Sequence, residues 1–204
     1  MDGRVNMEEK LPVRKRLRLP DYDYSSPGAY FITICTQHRR CILSRISRNT
    51  VGANISAQPK FESPVVSPDP TVGAIQESPA KLTPCGKIVD RVINQITDQY
   101  PAYVDSYVIM PNHIHLIIVI TETEDARTIR ESPLRGRSVI SKMIGYIKMN
   151  SSKEIHRCFG DSNIWQRGFH DHVIRNRRDY EQIAKYIYEN PIRWQYDCFY
   201  VEDF

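Results

Sequence analysis

The chain has 204 residues, 41% of them hydrophobic and 25% charged, an ordinary composition for a water-soluble domain with one core and a tail or insertion that need not pack. No apolar run approaches the roughly 18 residues that span a bilayer, and the opening MDGRVNMEEKLPVRKRLRLP lacks the apolar stretch of a secretory signal, so a cytoplasmic protein with no membrane partner is expected. The net charge of +4 permits a polyanion partner without demanding one, and five cysteines without a C-x-x-C pair read as reduced, structural thiols.

Residues 1–20 form a basic arm carrying Lys10, Arg14, Lys15, Arg16 and Arg18, either a polyanion contact or a solvated tail. Residues 21–204 read as one domain. GAYFITICT, 28–36, follows a Pro-Gly turn signal and is rich in aromatic and β-branched types, which predicts a first strand. From about 48 to 80 the pattern dissolves into Pro, Ser, Gly and Asn with no period, the composition of a disordered insertion in a loop. Order resumes at LTPCGKIVDRVINQITDQYP, where Thr83 can cap, Pro84 suits the first helical position, and Ile88, Val89, Val92, Ile93 and Ile96 line one face, with Pro101 helping to end the helix. Two strands follow, about 104–110 and 113–120, joined by a turn at Pro111-Asn112.

A second helix is predicted between Ser138 and His156, where Val139, Met143, Ile147 and Ile155 recur near helical spacing, and FHDHVIR, 169–175, as a fourth strand. The last element is RNRRDYEQIAKYIYENP, with Asn176 as cap and Tyr180, Ile183, Ala184 and Ile187 as a buried stripe. The order β-α-β-β-α-β-α predicts an α+β fold of the ferredoxin-like plan, an antiparallel sheet with two helices on one face and an extra C-terminal helix.

Two features stand out as candidates for chemistry. In the strand 113–120, His113 and His115 share a face because side chains alternate, and at about 7 Å along the backbone their rings can converge on one cation. The plainer reading is a pair flanking a hairpin turn, its rings satisfied by backbone carbonyls. His170 and His172 repeat the spacing, with Asp171 between them; spacing does not rank the pairs, but the apolar flanks of the first anchor its strand in a core. Cupin and amidohydrolase barrels also use His-x-His, yet the first needs many short strands and the second roughly 250 residues of repeated β-α units. On the last helix Tyr186 and Asn190 fall on one flank, about 40° apart, with Tyr188 opposite. They either face a metal held by the sheet, or cover the core and end the helix before Pro191.

The segments RLPDYDYSSPGAYFITICT, VIMPNHIHLI, IWQRGFHDHVIRN and YIYENPIRW, in this order, resemble the single-tyrosine HUH transposases, in particular the REP-associated tyrosine transposases. The resemblance implies a metal-dependent nuclease that binds single-stranded or hairpin DNA and transfers strands through a 5′-phosphotyrosine. It implies His113 and His115 as metal ligands, Tyr186 as nucleophile, Asn190 as third ligand where some relatives have Gln, and Mg²⁺ or Mn²⁺ as cofactor. Relatives include monomers and dimers that exchange the tyrosine helix, so a monomer or homodimer is expected. The stretch 48–80 departs from the pattern. Arg14, Lys15, Arg16, Arg175, Arg177 and Arg178 are candidates for DNA phosphate contacts, Trp165 for stacking on an unpaired base or for the core, and His172 for a place beside the site. The competing functions are a catalytically silent DNA-binding regulator on the same fold and a replication-initiator or relaxase-type HUH nickase, whose chains are usually larger.

Overall fold

A computed structural model describes residues 22–46, 80–97, 99–122 and 138–201. The basic arm with Arg14, Lys15 and Arg16 lies outside these residues, as does the expected insertion except for Ala80.

Four strands form one antiparallel sheet: β1 (Gly28–Cys35), β4 (Ala102–Ile109), β5 (His113–Ile120) and β6 (His170–Ile174). Their spatial order is β4-β5-β1-β6. Helix α1 (Pro84–Asn94) connects β1 to β4, and α2 (Val139–Phe159) connects β5 to β6. This is the ferredoxin-like plan, with α3 (Arg177–Glu189) added at the end.

β5 reads as a nearly continuous apolar run because both of its faces are covered. Ile114, Leu116, Ile118 and Ile120 enter the larger core with Ile32 and Ile34 of β1, Val89 and Ile93 of α1, and Met143 and Ile147 of α2. On the other face Ile117 joins Val108, Met110 and Ile187 of α3 in a smaller cluster, flanked by Phe31, Tyr180, Ile183 and Ala184. Of the stripe expected on α3, only Ile187 is fully buried. One helix on a sheet face leaves its margins open.

Thr83 and Asn176 cap as expected, and Ser138 is a third cap. The Thr83 hydroxyl accepts from Gly86 N at 3.1 Å, Ser138 Oγ from Ser141 N at 3.3 Å, and Asn176 Oδ1 from Asp179 N at 2.9 Å. α1 stops earlier than expected, at Asn94, so Pro101 plays no part in ending it, yet Ile96 beyond the helix is still fully buried. α2 runs one turn further, to Gly160, whose φ of 69° is the left-handed cap conformation that glycine adopts at little cost. β4 carries a bulge between Val104 and Ser106, and Asp105 at the bulge accepts a short hydrogen bond from Tyr180 of α3.

Two short strands had no signature in the sequence. β2 (Ser44–Ile46) pairs antiparallel with β3 (Ala80–Leu82), placing Ile46 opposite Ala80 on either side of residues 47–79. This clasp is wired to the histidine-bearing turn. The Leu43 carbonyl accepts from Thr83 N at 3.0 Å, while Leu43 N donates to Pro111 O at 3.0 Å.

Candidate active site

The turn after β4 and the start of β5 hold the histidine pair. His113 lies opposite Cys35 and His115 opposite Thr33, on the sheet face that α3 covers. Their ring centroids are 4.5 Å apart, and both residues are buried, with 0% and 1% exposure. Side chains, rather than the backbone carbonyls of the plainer reading, hold the inner ring nitrogens. His113 Nδ1 is 2.9 Å from Asn112 Oδ1 and His115 Nδ1 is 2.8 Å from Thr33 Oγ1.

The first of these contacts fixes a tautomer. Asn112 Nδ2 donates to Phe199 O at 2.8 Å and to Arg39 O at 3.3 Å, so Oδ1, which can only accept, faces His113. His113 must then carry its proton on Nδ1, leaving the Nε2 lone pair free. That Nε2 is buried and has no hydrogen-bond partner. An orphaned acceptor in the interior is costly unless something occupies the space in front of it. Burial, reinforced by the Arg39 cation, pushes the pKa of His113 down to about 3. Burial, with His113 beside it, also holds His115 well below the ordinary histidine range, against the opposing charge of Asp197. Both rings are therefore neutral at neutral pH, the state a metal requires of imidazole.

α3 brings the phenol. The Tyr186 hydroxyl is 3.2 Å from His115 Nε2 and donates to Asp197 Oδ2 at 3.3 Å. Its ring stands edge-on to His115 at 5.1 Å and to Phe31 at 6.1 Å, with 41% of the residue exposed. Burial, and then the Asp197 charge, raise its pKa to about 12. Asn190, just past the helix end, is buried; its Nδ2 donates to Asp197 Oδ2 at 3.0 Å, and its Oδ1 is a second buried acceptor without a partner. An open groove of about 460 Å³ runs in front of Tyr186, lined by Gln182, Lys185, Glu189, Arg193 and Tyr196 together with Asn190 and Asp197. Tyr188 is not part of this lining.

The structure thus brings His113, His115, Tyr186 and Asn190 together. It also adds Asp197, which the sequence reading missed; one of its oxygens lies within 4.8 Å of a ring nitrogen of each histidine. The residue sits in WQYDCFY, after a short 3₁₀ turn, with no periodic element to place it. His113, His115 and Asp197 make a nitrogen-and-oxygen donor set that fits a divalent cation, with the unpartnered Asn190 Oδ1 on the residue bonded to Asp197.

The remaining candidates lie away from this cluster. Trp165 takes the core alternative: it is 9% exposed, packs in the larger core, and donates from Nε1 to the buried Ser151 Oγ at 2.9 Å. His172 lies on edge strand β6, opposite Phe31, and its Nε2 pairs with Asp179 at 2.9 Å rather than with a site residue; His170 is exposed, as expected. Arg175, Arg177 and Arg178 are exposed around the start of α3, about 13 Å along the helix from Tyr186, and Arg177 pairs with Glu181 at 2.7 Å. All five cysteines are free thiols.

The histidine pair lies on the third strand of a ferredoxin-like sheet and is faced by a tyrosine on an appended helix. No family model matches the chain. It is 28% identical to an uncharacterised protein of Haemophilus influenzae over 198 residues, which covers 93% of this chain and 94% of that protein. It is 28% identical to a REP-associated tyrosine transposase of Escherichia coli over 112 residues, a match spanning 55% of this chain and just over half, 58%, of that one. The fold is shared with a REP-associated tyrosine transposase solved bound to a REP hairpin, at a TM-score of 0.52 and 21% identity, covering 88% of this chain and 75% of that chain. The named relative and the shared fold are both those of REP-associated tyrosine transposases, the proteins this chain resembles. Among the described residues no helix is long and apolar enough to cross a membrane.

Proposed function

We propose that the protein cleaves and rejoins single-stranded or hairpin DNA, with Tyr186 as nucleophile and with Mg²⁺ or Mn²⁺ held by His113, His115 and Asn190. The observation that carries this reading is the buried, unpartnered Nε2 of a tautomerically fixed His113, in one cluster with a phenol 3.2 Å from His115. In the reaction the Tyr186 Oη–phosphorus bond forms, the phosphorus–O3′ bond breaks, and the leaving O3′ takes up a proton. The bond energy is kept in the 5′-phosphotyrosine for rejoining. A bound cation would polarise the scissile phosphate and steady the charge on the leaving oxygen.

The chain's own residues prepare the attack. With a pKa of about 12, the phenol is ionised in about one molecule in ten thousand at pH 8, so it needs an acceptor for its proton. The Asp197 carboxylate and the His115 ring both lie within hydrogen-bond reach of the Tyr186 hydroxyl. The Tyr186 hydroxyl meets His115 of its own chain, the arrangement that attack in cis requires. DNA as the substrate is supported by the related protein solved on a REP hairpin. Arg175, Arg177 and Arg178, exposed around the start of the helix that carries Tyr186, are the proposed phosphate contacts.

The test uses labelled single-stranded and hairpin oligonucleotides with Mn²⁺, Mg²⁺ or EDTA, read as covalent adduct on a denaturing gel. Wild type and Tyr188→Phe should form adduct with metal. Tyr186→Phe and His113→Ala should form none while still retarding the DNA. Adduct of equal yield in EDTA would overturn the metal role, and DNA binding with no adduct under any condition would leave the silent regulator as the function.

A further inference from the structure

We infer that Asp197 is a ligand of this metal centre, its carboxylate completing the set formed by His113, His115 and Asn190. The inference rests on the metal-dependent reading above and goes beyond it by naming an anionic ligand.

Asp197 is the only carboxylate among the described residues that groups with the histidine pair, its oxygen lying within 4.8 Å of a ring nitrogen of each. The backbone holds it there: Phe199 N donates to Asp197 Oδ1 at 2.6 Å, so the side chain is braced by its own turn. The second observation is the buried Nε2 of His113, unpartnered in the same cluster.

Charge makes the same point. Two neutral imidazoles and one carboxamide leave both charges of a divalent cation uncompensated in a site where the histidines are wholly buried. A carboxylate removes one of them and contributes the hard oxygen that Mg²⁺ and Mn²⁺ favour. Asp197 also orients its neighbour. A carboxylate only accepts, so the Asn190 amide must turn its Nδ2 toward Asp197 Oδ2, which leaves Asn190 Oδ1 to serve as a donor atom elsewhere in the cluster.

The experiment measures Mn²⁺ binding to the whole protein by the electron paramagnetic resonance of free Mn²⁺, with circular dichroism confirming the fold of each variant. Asp197→Asn, nearly isosteric and still able to accept from Asn190, should weaken Mn²⁺ binding at least about tenfold. Asp197→Cys should shift preference from Mn²⁺ toward Cd²⁺, a change that follows the ligand atom and that a residue acting only through Asn190 would not produce. If His113→Ala loses Mn²⁺ while both Asp197 variants bind it as wild type does, with unchanged metal preference, the inference is overturned and the proposed function stands. If His113→Ala binds Mn²⁺ as wild type does, the metal reading fails and Asp197 fails with it.

Discussion

Replacing Gly86 by alanine sets two physical effects against each other. Gly86 lies in the first turn of α1 with ordinary helical backbone, so intrinsic propensity favours alanine by about 1 kcal/mol. The added Cβ, however, would lie 1.9 Å from Leu43 O and 3.0 Å from Leu43 C, both backbone atoms. To reach even 3.0 Å the Leu43 carbonyl has to retreat by more than 1 Å. It is pinned by Thr83 N at 3.0 Å, while Leu43 N holds Pro111 O at 3.0 Å. Overpacking against backbone costs about 1–3 kcal/mol and here reaches the upper end, so the net loss is about 1–2 kcal/mol after the propensity gain. At about 2–4 °C per kcal/mol for a chain of this size, the melting temperature should fall by roughly 2–8 °C. Because the strain passes through Pro111 to the turn presenting His113, Mn²⁺ binding should weaken as well. Differential scanning calorimetry checks the first effect and metal titration the second. A Gly86→Ala protein that melts at or above wild type would refute the close approach and leave propensity as the winner.

Acid should destabilise the metal-free protein through the histidines. His113 falls from an unfolded pKa of 6.5 to about 3 and His115 moves in the same direction, so below pH 6.5 the unfolded chain binds more protons; stability is complete above that pH and drains away toward pH 3. His113 alone should contribute a loss of about 2 kcal/mol by pH 5, read from urea midpoints, and no steeper slope in wild type than in His113→Phe would contradict it. Ser151→Ala leaves the Trp165 indole N–H buried without its acceptor and should cost about 1–3 kcal/mol, while Trp165→Phe should leave DNA affinity unchanged; a selective loss of DNA binding would restore a base-stacking role. Joining Ile46 to Ala80 with a short Gly-Ser bridge in place of residues 47–79 should preserve melting temperature within about 3 °C, because those residues face each other across the β2–β3 ladder; a larger drop would show lost packing.

The seven principal elements were readable because each carries its own pattern. Thr83-Pro84 announces α1, alternation through His113 and His115 announces β5, and the spacing of Tyr180, Ile183, Ala184 and Ile187 announces α3. Tyr186 and Asn190 were placed by helical geometry, which holds over one turn. Asp197 was not readable, since a carboxylate in an irregular segment has no period, and only the fold decides that WQYDCFY passes in front of β5. The β2–β3 clasp was hidden because three-residue strands are too short to alternate. His172 shows the limit of spacing as a signal: it repeats the motif of the first pair, but it stands on an edge strand where Asp179 engages the ring. Trp165 was open to either reading until a buried acceptor, Ser151, appeared at its nitrogen.

The site is also divided in time. All four strands of the sheet, and both helices that cover its other face, come before Arg177, whereas Tyr186, Asn190 and Asp197 all come after it. The ribosome releases the chain from its N-terminal end. The Tyr186 phenol therefore leaves the ribosome after every strand of the sheet, and a nascent chain stalled before α3 carries the histidine pair without it. Translation thus delivers the phenol, Asn190 and Asp197 together, after the strands whose face they complete.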